Sequence, residues 1–253
     1  MNRFLNHLDS LLGLTFVGAL AAAAITALPG NALAADAPAT DVVQEARSVG
    51  PFEAVQTDSL HVIIKAGATS QVQVQSTRKL IADLETVVED TPRGKTLMVR
   101  NKAKGWSMQW GKNPTVVTVT VPQLSGVAVN GSGDVVVETM KLPRLLVGIR
   151  GSGDVKLNNI TVDDLTLAIS GSGDIGASGQ AAKLAVSIAG SGDVHAMGLK
   201  ADDVSVKVAG SGDARVHANK TLAVSVAGSG DVVYSGNAVV TQSIAGAGSV
   251  TKQ

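Results

Sequence analysis

The tetrapeptide Gly-Ser-Gly-Asp occurs six times, starting at residues 131, 151, 171, 190, 210 and 228, and a degenerate copy, Gly246-Ala247-Gly248-Ser249, closes the series. The starts lie 20, 20, 19, 20, 18 and 18 residues apart. A motif returning at so regular a period marks one supersecondary unit per repeat, each buried by stacking on its neighbours. The period is too short for a propeller blade and too long for nonapeptide calcium repeats, and the leucine-rich signature is missing.

Within each repeat, apolar and polar residues alternate twice. After the Asp come Val135 and Val137, Val155 and Leu157, Val194 and Ala196, or Val232 and Tyr234. Lys156, Asn158, His195, Arg215 and His217 fall on the opposite side. Before the next Gly come Leu165-Leu167-Ile169, Leu184-Val186-Ile188, Val204-Val206-Val208 and Leu222-Val224-Val226. Period-2 alternation of this kind is that of half-buried strands. Two strands and two turns in 18–20 residues predict an all-β fold, a parallel β-helix with coils rising about 4.8 Å each. Composition agrees: the six aromatics, 28 glycines and absent cysteine fit a narrow interior of Val, Leu and Ile. With no Cys there is no disulfide scaffold, thiol nucleophile or cysteine-built metal site. Equal numbers of acidic and basic side chains, 21 each, argue against nucleic acid as a partner.

The corner residues are Gly131, Gly133 and Asp134; Gly151, Gly153 and Asp154; Gly171, Gly173 and Asp174; Gly190, Gly192 and Asp193; Gly210, Gly212 and Asp213; Gly228, Gly230 and Asp231. Gly-x-Gly tolerates positive φ, so the chain can turn at the same place on every coil. The last coil carries Gln242 where earlier coils have Val186 or Val206, and its motif lacks the Asp; both suit a capping coil facing water.

Residues 1–34 read as a secretory signal: Arg3, an apolar run from Leu11 to Leu28, Pro29-Gly30, and an A-x-A site cut after Ala34 or Ala35. A retained membrane anchor is the alternative, although Gly13, Thr15, Gly18 and Thr26 interrupt the run. No integral membrane segment is expected after cleavage. Residues 35–50 read as a linker. Residues 51–130 read as irregular opening coils with strands at 60–65, 71–75, 95–100 and 115–121, and 131–253 as the regular coils.

The order Gly50-Pro51-Phe52, the segment 60–67, the strand Val72-Gln73-Val74, the segment 97–100, and 119–124 running into serial Gly-Ser-Gly-Asp resembles the bacterial head GIN domain family of auto-transporter adhesins. The resemblance covers about residue 50 to the C-terminus. It implies an exported, right-handed β-helix with no established activity, and offers no catalytic motif to carry over. No run of barrel-forming strands follows the last coil, so a self-translocating porter is not expected.

Four features are candidates for chemistry. In-register stacking puts the six corner carboxylates about 5 Å apart, with a repulsion per pair of about 0.8 kcal/mol in water and roughly 3 at an effective dielectric of 20. Hydrogen bonds within Asx-type turns would relieve it; a row of calcium sites is the alternative. No metal or cofactor is assigned.

Asp163-Asp164 and Asp202-Asp203 recur two coils apart. Paired acids serve glycosidases, so a polysaccharide-acting lyase or hydrolase is the alternative to a non-enzymatic module. His195 and His217 read as surface residues.

The segment from Arg93 to Lys112 holds Arg93, Lys95, Arg100, Lys102, Lys104 and Lys112, no acid, and both tryptophans, Trp106 and Trp110. Trp beside Lys can stack on sugar rings and attract anions, or sit at a membrane interface, so glycan, lipopolysaccharide or an envelope protein is the partner such a loop fits. A hairpin tip folded back over a solenoid edge is the structural alternative.

Finally, the outward positions of the second strand are nearly all Ala or Ser: Ala168 and Ser170; Ala185, Ser187 and Ala189; Ser205 and Ala209; Ala223, Ser225 and Ala227; Ser243 and Ala245; Lys207 interrupts them. So smooth a face suits packing against the first-half strands or against a second copy in a homo-oligomer. The sequence therefore points to an exported binding, adhesion-type or structural envelope module, in the periplasm or at the cell surface.

Overall fold

The computed structural model describes residues 42–102 and 115–253, all within one compact unit, Ala39–Gln253. The predicted signal segment, 1–34, lies outside the described residues. Among the described residues, no helix is long and apolar enough to cross a membrane.

Along the chain run β1 (Val42–Arg47), β2 (Ala54–Thr57), β3 (His61–Ala66), β4 (Gln71–Thr77), the single turn α1 (Arg78–Ile81), β5 (Leu84–Thr91), β6 (Gly94–Asn101) and β7 (Val116–Val121). The regular part follows as β8 (Gly126–Gly131), β9 (Val135–Val137), β10 (Lys141–Gly151), β11 (Val155–Gly171), β12 (Ile175–Gly190), β13 (Val194–Gly210), β14 (Ala214–Gly228), β15 (Val232–Ser235), β16 (Val239–Gly246) and β17 (Val250–Lys252). From β8 onward, successive coils pair in parallel, giving a β-solenoid of about six turns.

Each coil has three faces, not the two strands the alternation predicts. In the coil from Val155 to Gly171, the residues Val155, Leu157, Ile160, Val162, Leu165, Leu167 and Ile169 are all buried. The period-2 pattern slips twice, at Asn158-Asn159 and at Asp163-Asp164, where two consecutive residues avoid the core. Successive side chains in a strand must alternate sides, so two in a row facing outward mark a bend. The faces are therefore 155–157, 160–162 and 165–169, joined by the Gly-Ser-Gly-Asp corner and two corners without a fixed motif.

The change in coil length is absorbed at the plain corners. At the first, register breaks between Leu157 and Ile160 in one pair of coils and between Ala196 and Lys200 in another; in that second pair it also shifts at the second corner, between Ala201 and Asp203. The third face stays in register residue for residue from Leu165 to Gly171 and its equivalents in the next three coils.

The glycine corner shows why the register cannot slip. The first glycine of each motif has positive φ, +142° at Gly171 and +141° at Gly190. A Cβ on Gly171 would strike the carbonyl oxygen of Gly151, one coil below. That oxygen accepts two backbone hydrogen bonds, from Ser172 N–H at 2.9 Å and Gly173 N–H at 3.3 Å. The second glycine, Gly173, has no positive φ but is required by the same close approach: a Cβ there would strike the carbonyl of Gly153. The first glycine thus answers to both dihedral angle and close approach, the second to close approach alone.

The opening strands stack out of chain order. On the third face the spatial order is β6, β2, β8; on the first it is β7, β3, β9. The coil formed by 94–101 and 116–121 lies outside the one formed by 54–66, although it follows it in sequence. Antiparallel β4 and then β1 extend the first face beyond β7, and β5 pairs antiparallel with β6. Residues 42–47, expected as linker, are thus the strand β1; its partly covered Val43 packs on the core, a contact that isolated sequence reading has no way to supply.

At the opposite end Gln242 stands opposite Val224 and is exposed, with Ile244 38% and Val239 74% accessible. No described residue covers the outer edge of this coil.

Gly171→Ala combines a disfavoured φ with a backbone collision, and should destabilise the protein by about 3 kcal/mol or more, read as a lowered midpoint in urea unfolding.

Candidate functional site

The corner carboxylates form a ladder between coils, not turns within them. Asp134 Oδ1 accepts the backbone N–H of Asp154 at 3.3 Å, and Asp154 Oδ1 that of Asp174 at 3.0 Å. The series continues through Asp193, Asp213 and Asp231 at 2.8–2.9 Å. It ends where Asp231 Oδ1 accepts both N–H and Oγ–H of Ser249. Each N–H offsets part of the repulsion that in-register stacking imposes, since a charge-assisted hydrogen bond is worth about 1.5–3 kcal/mol. The Asx-turn expectation found the right donor type and the wrong coil. At the other end of the row, His61 occupies the Asp position of the preceding coil, with Nδ1 4.0 Å from Asp134 Oδ2. A lone His in an irregular strand gives no sequence signal of that role.

The paired acids Asp163-Asp164 and Asp202-Asp203 mark the second plain corner. Here charges alternate in register: Arg144 lies beside Asp164, which pairs with Lys183, which pairs with Asp203. Arg144 reaches Asp164 at 3.9 Å, and Thr221 Oγ1 donates to Asp203 at 2.7 Å. Lys183 separates the two carboxylates that a glycosidase reading would bring together across an open bond. A shallow groove of about 370 Å³ runs past Asp164, Lys183 and Asp203 onto the third face.

Asp202, next door, is held below the usual carboxylate range, first by the hydrogen bond from Lys220 at 2.8 Å and then by that from Asn219 at 3.2 Å. Asn219 also meets His217, whose other ring nitrogen lies 2.8 Å from Ser235 Oγ. The sequence reading that left His217 as a surface residue missed this cluster. It forms because the last two coils have equal length, so that His217 and Ser235, 18 residues apart, are register partners on β14 and β15.

The cation-rich segment divides in two. Trp106, Trp110, Lys104 and Lys112 lie outside the described residues, and Lys102 is exposed at the end of β6. Arg100 is gripped by Glu85 at 2.7 Å and Glu89 at 2.9 Å, carboxylates brought across the hairpin by β5. The hydrogen bond with Glu85 is the largest cause that raises its pKa. Its expected role in holding an external anion is therefore replaced by an internal one. Lys95 pairs with Asp90 at 3.3 Å. The segment has no acid of its own, but its partner strand supplies three.

Beside the ends of the 103–114 stretch, Asn101 and Thr115 line a cleft of about 380 Å³ with Ser59, His61, Ser132 and Asp134. Burial is the first cause raising the Asp58 carboxyl at this end, with the Arg100 charge opposing it.

The Ala/Ser positions lie on the outside of the third face. Ala185, Ser187, Ala189, Ala223, Ser225 and Ala227 are exposed. The first-half strands do not pack on them; they continue the same sheets by edge pairing, because β2 joins β8. Near the opening end the Arg93 side chain comes within 4 Å of a Cβ placed on Gly126 or Gly148.

Stacked coils, glycine corners and an antiparallel cover at one end define a β-solenoid of the adhesin-head type. The chain belongs to the family described as "Putative auto-transporter adhesin, head GIN domain", whose profile matches residues 51–238. Its fold is that of a putative adhesin from Bacteroides fragilis NCTC 9343, with a TM-score of 0.78, 23% identity, and coverage of 85% of this chain and 99% of that one. A putative lipid binding protein from Parabacteroides distasonis ATCC 8503 aligns with a TM-score of 0.68 at 21% identity over 85% of this chain and 97% of its own. A putative adhesin from the same strain gives 0.64 at 24% identity over 84% and 97%. Comparison with curated proteins finds no match.

Asp174→Ala removes the acceptor for Asp193 N–H and should cost about 1–2 kcal/mol, whereas Asp174→Asn keeps an acceptor oxygen, sheds one charge and should cost less than half as much; chemical unfolding of both variants checks the ordering.

Proposed function

We propose that the protein is an exported, non-enzymatic adhesion-type module of the cell envelope, acting in the periplasm or at the surface. It is a solenoid in which the 103–114 sequence, with Trp106, Trp110, Lys104 and Lys112, supplies the binding residues, and Lys102 contributes from the end of β6. One observation carries the reading. The corner carboxylates of the solenoid bond to neighbouring coils, whereas the sequence between β6 and β7 carries both tryptophans and three lysines, and the described residues Asn101 and Thr115 near its two ends line a cleft with His61, Asp134, Ser59 and Ser132. Indole faces stack on sugar rings and lysines attract phosphate or carboxylate, so the partner is an anionic glycan such as lipopolysaccharide, or an envelope protein that presents one. The signal-like residues 1–34 support export.

A screen of glycans and lipopolysaccharide against the mature protein should return a ligand. In that assay Trp106→Ala/Trp110→Ala should weaken binding at least about tenfold, as expected if each ring supplies on the order of 1 kcal/mol. Its melting temperature should stay that of the unaltered protein. A large loss of stability would instead assign the tryptophans to covering the solenoid edge.

The exposure of the third face favours a second reading beside the first: copies associate through the Ala/Ser face. Its outward side chains are short enough for two such sheets to approach at about 10 Å. Light scattering should then report a dimer, and Ala185→Arg with Ser225→Arg should return it to monomer without unfolding.

A further inference from the structure

Ser235, His217 and Asn219 are joined in a chain of hydrogen bonds whose direction can be derived from one end. Asp202 is ionised, with Lys220 Nζ 2.8 Å from its Oδ2. A carboxylate only accepts, so Asn219 must turn its NH2 toward Asp202 Oδ1, 3.2 Å away. The amide oxygen of Asn219 then faces His217 Nε2 at 3.0 Å, which requires the proton on Nε2. In the neutral ring Nδ1 is left with a lone pair, and it lies 2.8 Å from Ser235 Oγ. The hydroxyl proton of Ser235 therefore points at a base. Its other neighbour, Met197 Sδ at 3.4 Å, is a far weaker acceptor.

A serine hydroxyl held on an imidazole, with that imidazole oriented by a third group, is the arrangement that activates an alcohol as a nucleophile. The backbone supports it: His217 and Ser235 are direct register partners on adjacent parallel strands, so the ladder itself fixes their separation. Both are partly accessible, not sealed in the core.

We infer that Ser235 is an acylation site, taking an acyl group from an ester or thioester donor, with His217 as general base and Asn219 as the residue that positions the imidazole. In the step, Ser235 Oγ bonds to the carbonyl carbon and the carbon–oxygen or carbon–sulfur bond of the donor breaks. The hydroxyl proton passes to His217 Nδ1 and from there to the departing group or to water. No oxidant or second reactant is needed. The inference is independent of the glycan reading, since it concerns the far end of the regular coils.

The test treats the protein with p-nitrophenyl acetate and follows p-nitrophenolate release together with peptide mapping by mass spectrometry. The expected result is one acetyl group at Ser235, formed at least about tenfold faster than at the corner serines Ser172, Ser191 and Ser211, which lie on the glycine corner where no histidine stands in register. Ser235→Ala should remove the label. His217→Gln should slow it by about a hundredfold, the range of general base catalysis. Asn219→Leu should slow it as well, whereas Asn219→Asp combined with Asp202→Asn, which exchanges the two groups and so keeps an acceptor oxygen for Nε2–H and a donor between positions 202 and 219, should retain it; melting curves show that each variant is folded. Acetylation of Ser235 no faster than of the corner serines would overturn the inference, as would an unchanged rate in folded His217→Gln.

Discussion

The structure depends on one arrangement repeated from coil to coil: a glycine carbonyl that accepts one or two N–H groups from the coil above, in a space that leaves no room for Cβ. Gly151 accepts from Ser172 and Gly173, Gly171 from Ser191 and Gly192, and Gly190 from Ser211 and Gly212. Parallel strands have evenly spaced bonds and no hairpin to set their register, so a stack of short faces could slip. The glycine contact removes that freedom, because moving by one residue drives a Cβ into backbone. Register in turn aligns the aliphatic ladders, and those ladders supply the burial that a chain with so few aromatics needs.

The same register creates an electrostatic difficulty and answers it. Stacking one Asp per coil brings like charges together, yet each carboxylate also comes within reach of the next corner's N–H. At the second plain corner the row alternates Arg144, Asp164, Lys183 and Asp203, so attraction replaces repulsion. The solenoid thus commits its corner carboxylates and this charged row to neighbouring coils. Chemistry directed outward has to come from an insertion, from a smooth face, or from a corner where coil length changes. The stretch between β6 and β7, the Ala/Ser face and the His217–Ser235 contact are those three places.

Much of the fold was legible in the residues. The Gly-Ser-Gly-Asp spacing gave the coil length, the alternation gave the buried positions, and Gln242 with the lost Asp marked the last coil. Legibility failed where the information is not local. Arg100 looked free because its partners, Glu85 and Glu89, lie on another strand, and only antiparallel pairing of β5 with β6 brings them over. Asp134 and its equivalents were assigned bonds in their own turns, because a sequence does not say which coil a neighbouring N–H belongs to. Residues 42–47 looked like linker, since a single edge strand with mostly exposed side chains carries no strong period.

Sequence alone determined the repeat, the stacked parallel strands and the glycine at each corner, because period, alternation and backbone permissiveness are properties of residues in order. Tertiary structure decided the rest: three faces per coil, opening strands stacked out of chain order, a carboxylate ladder running between coils, and a serine placed against a histidine 18 residues away. Those outcomes depend on which segments become neighbours in space. The cause is the number of residues each corner consumes, and that is fixed only when the coils close on one another.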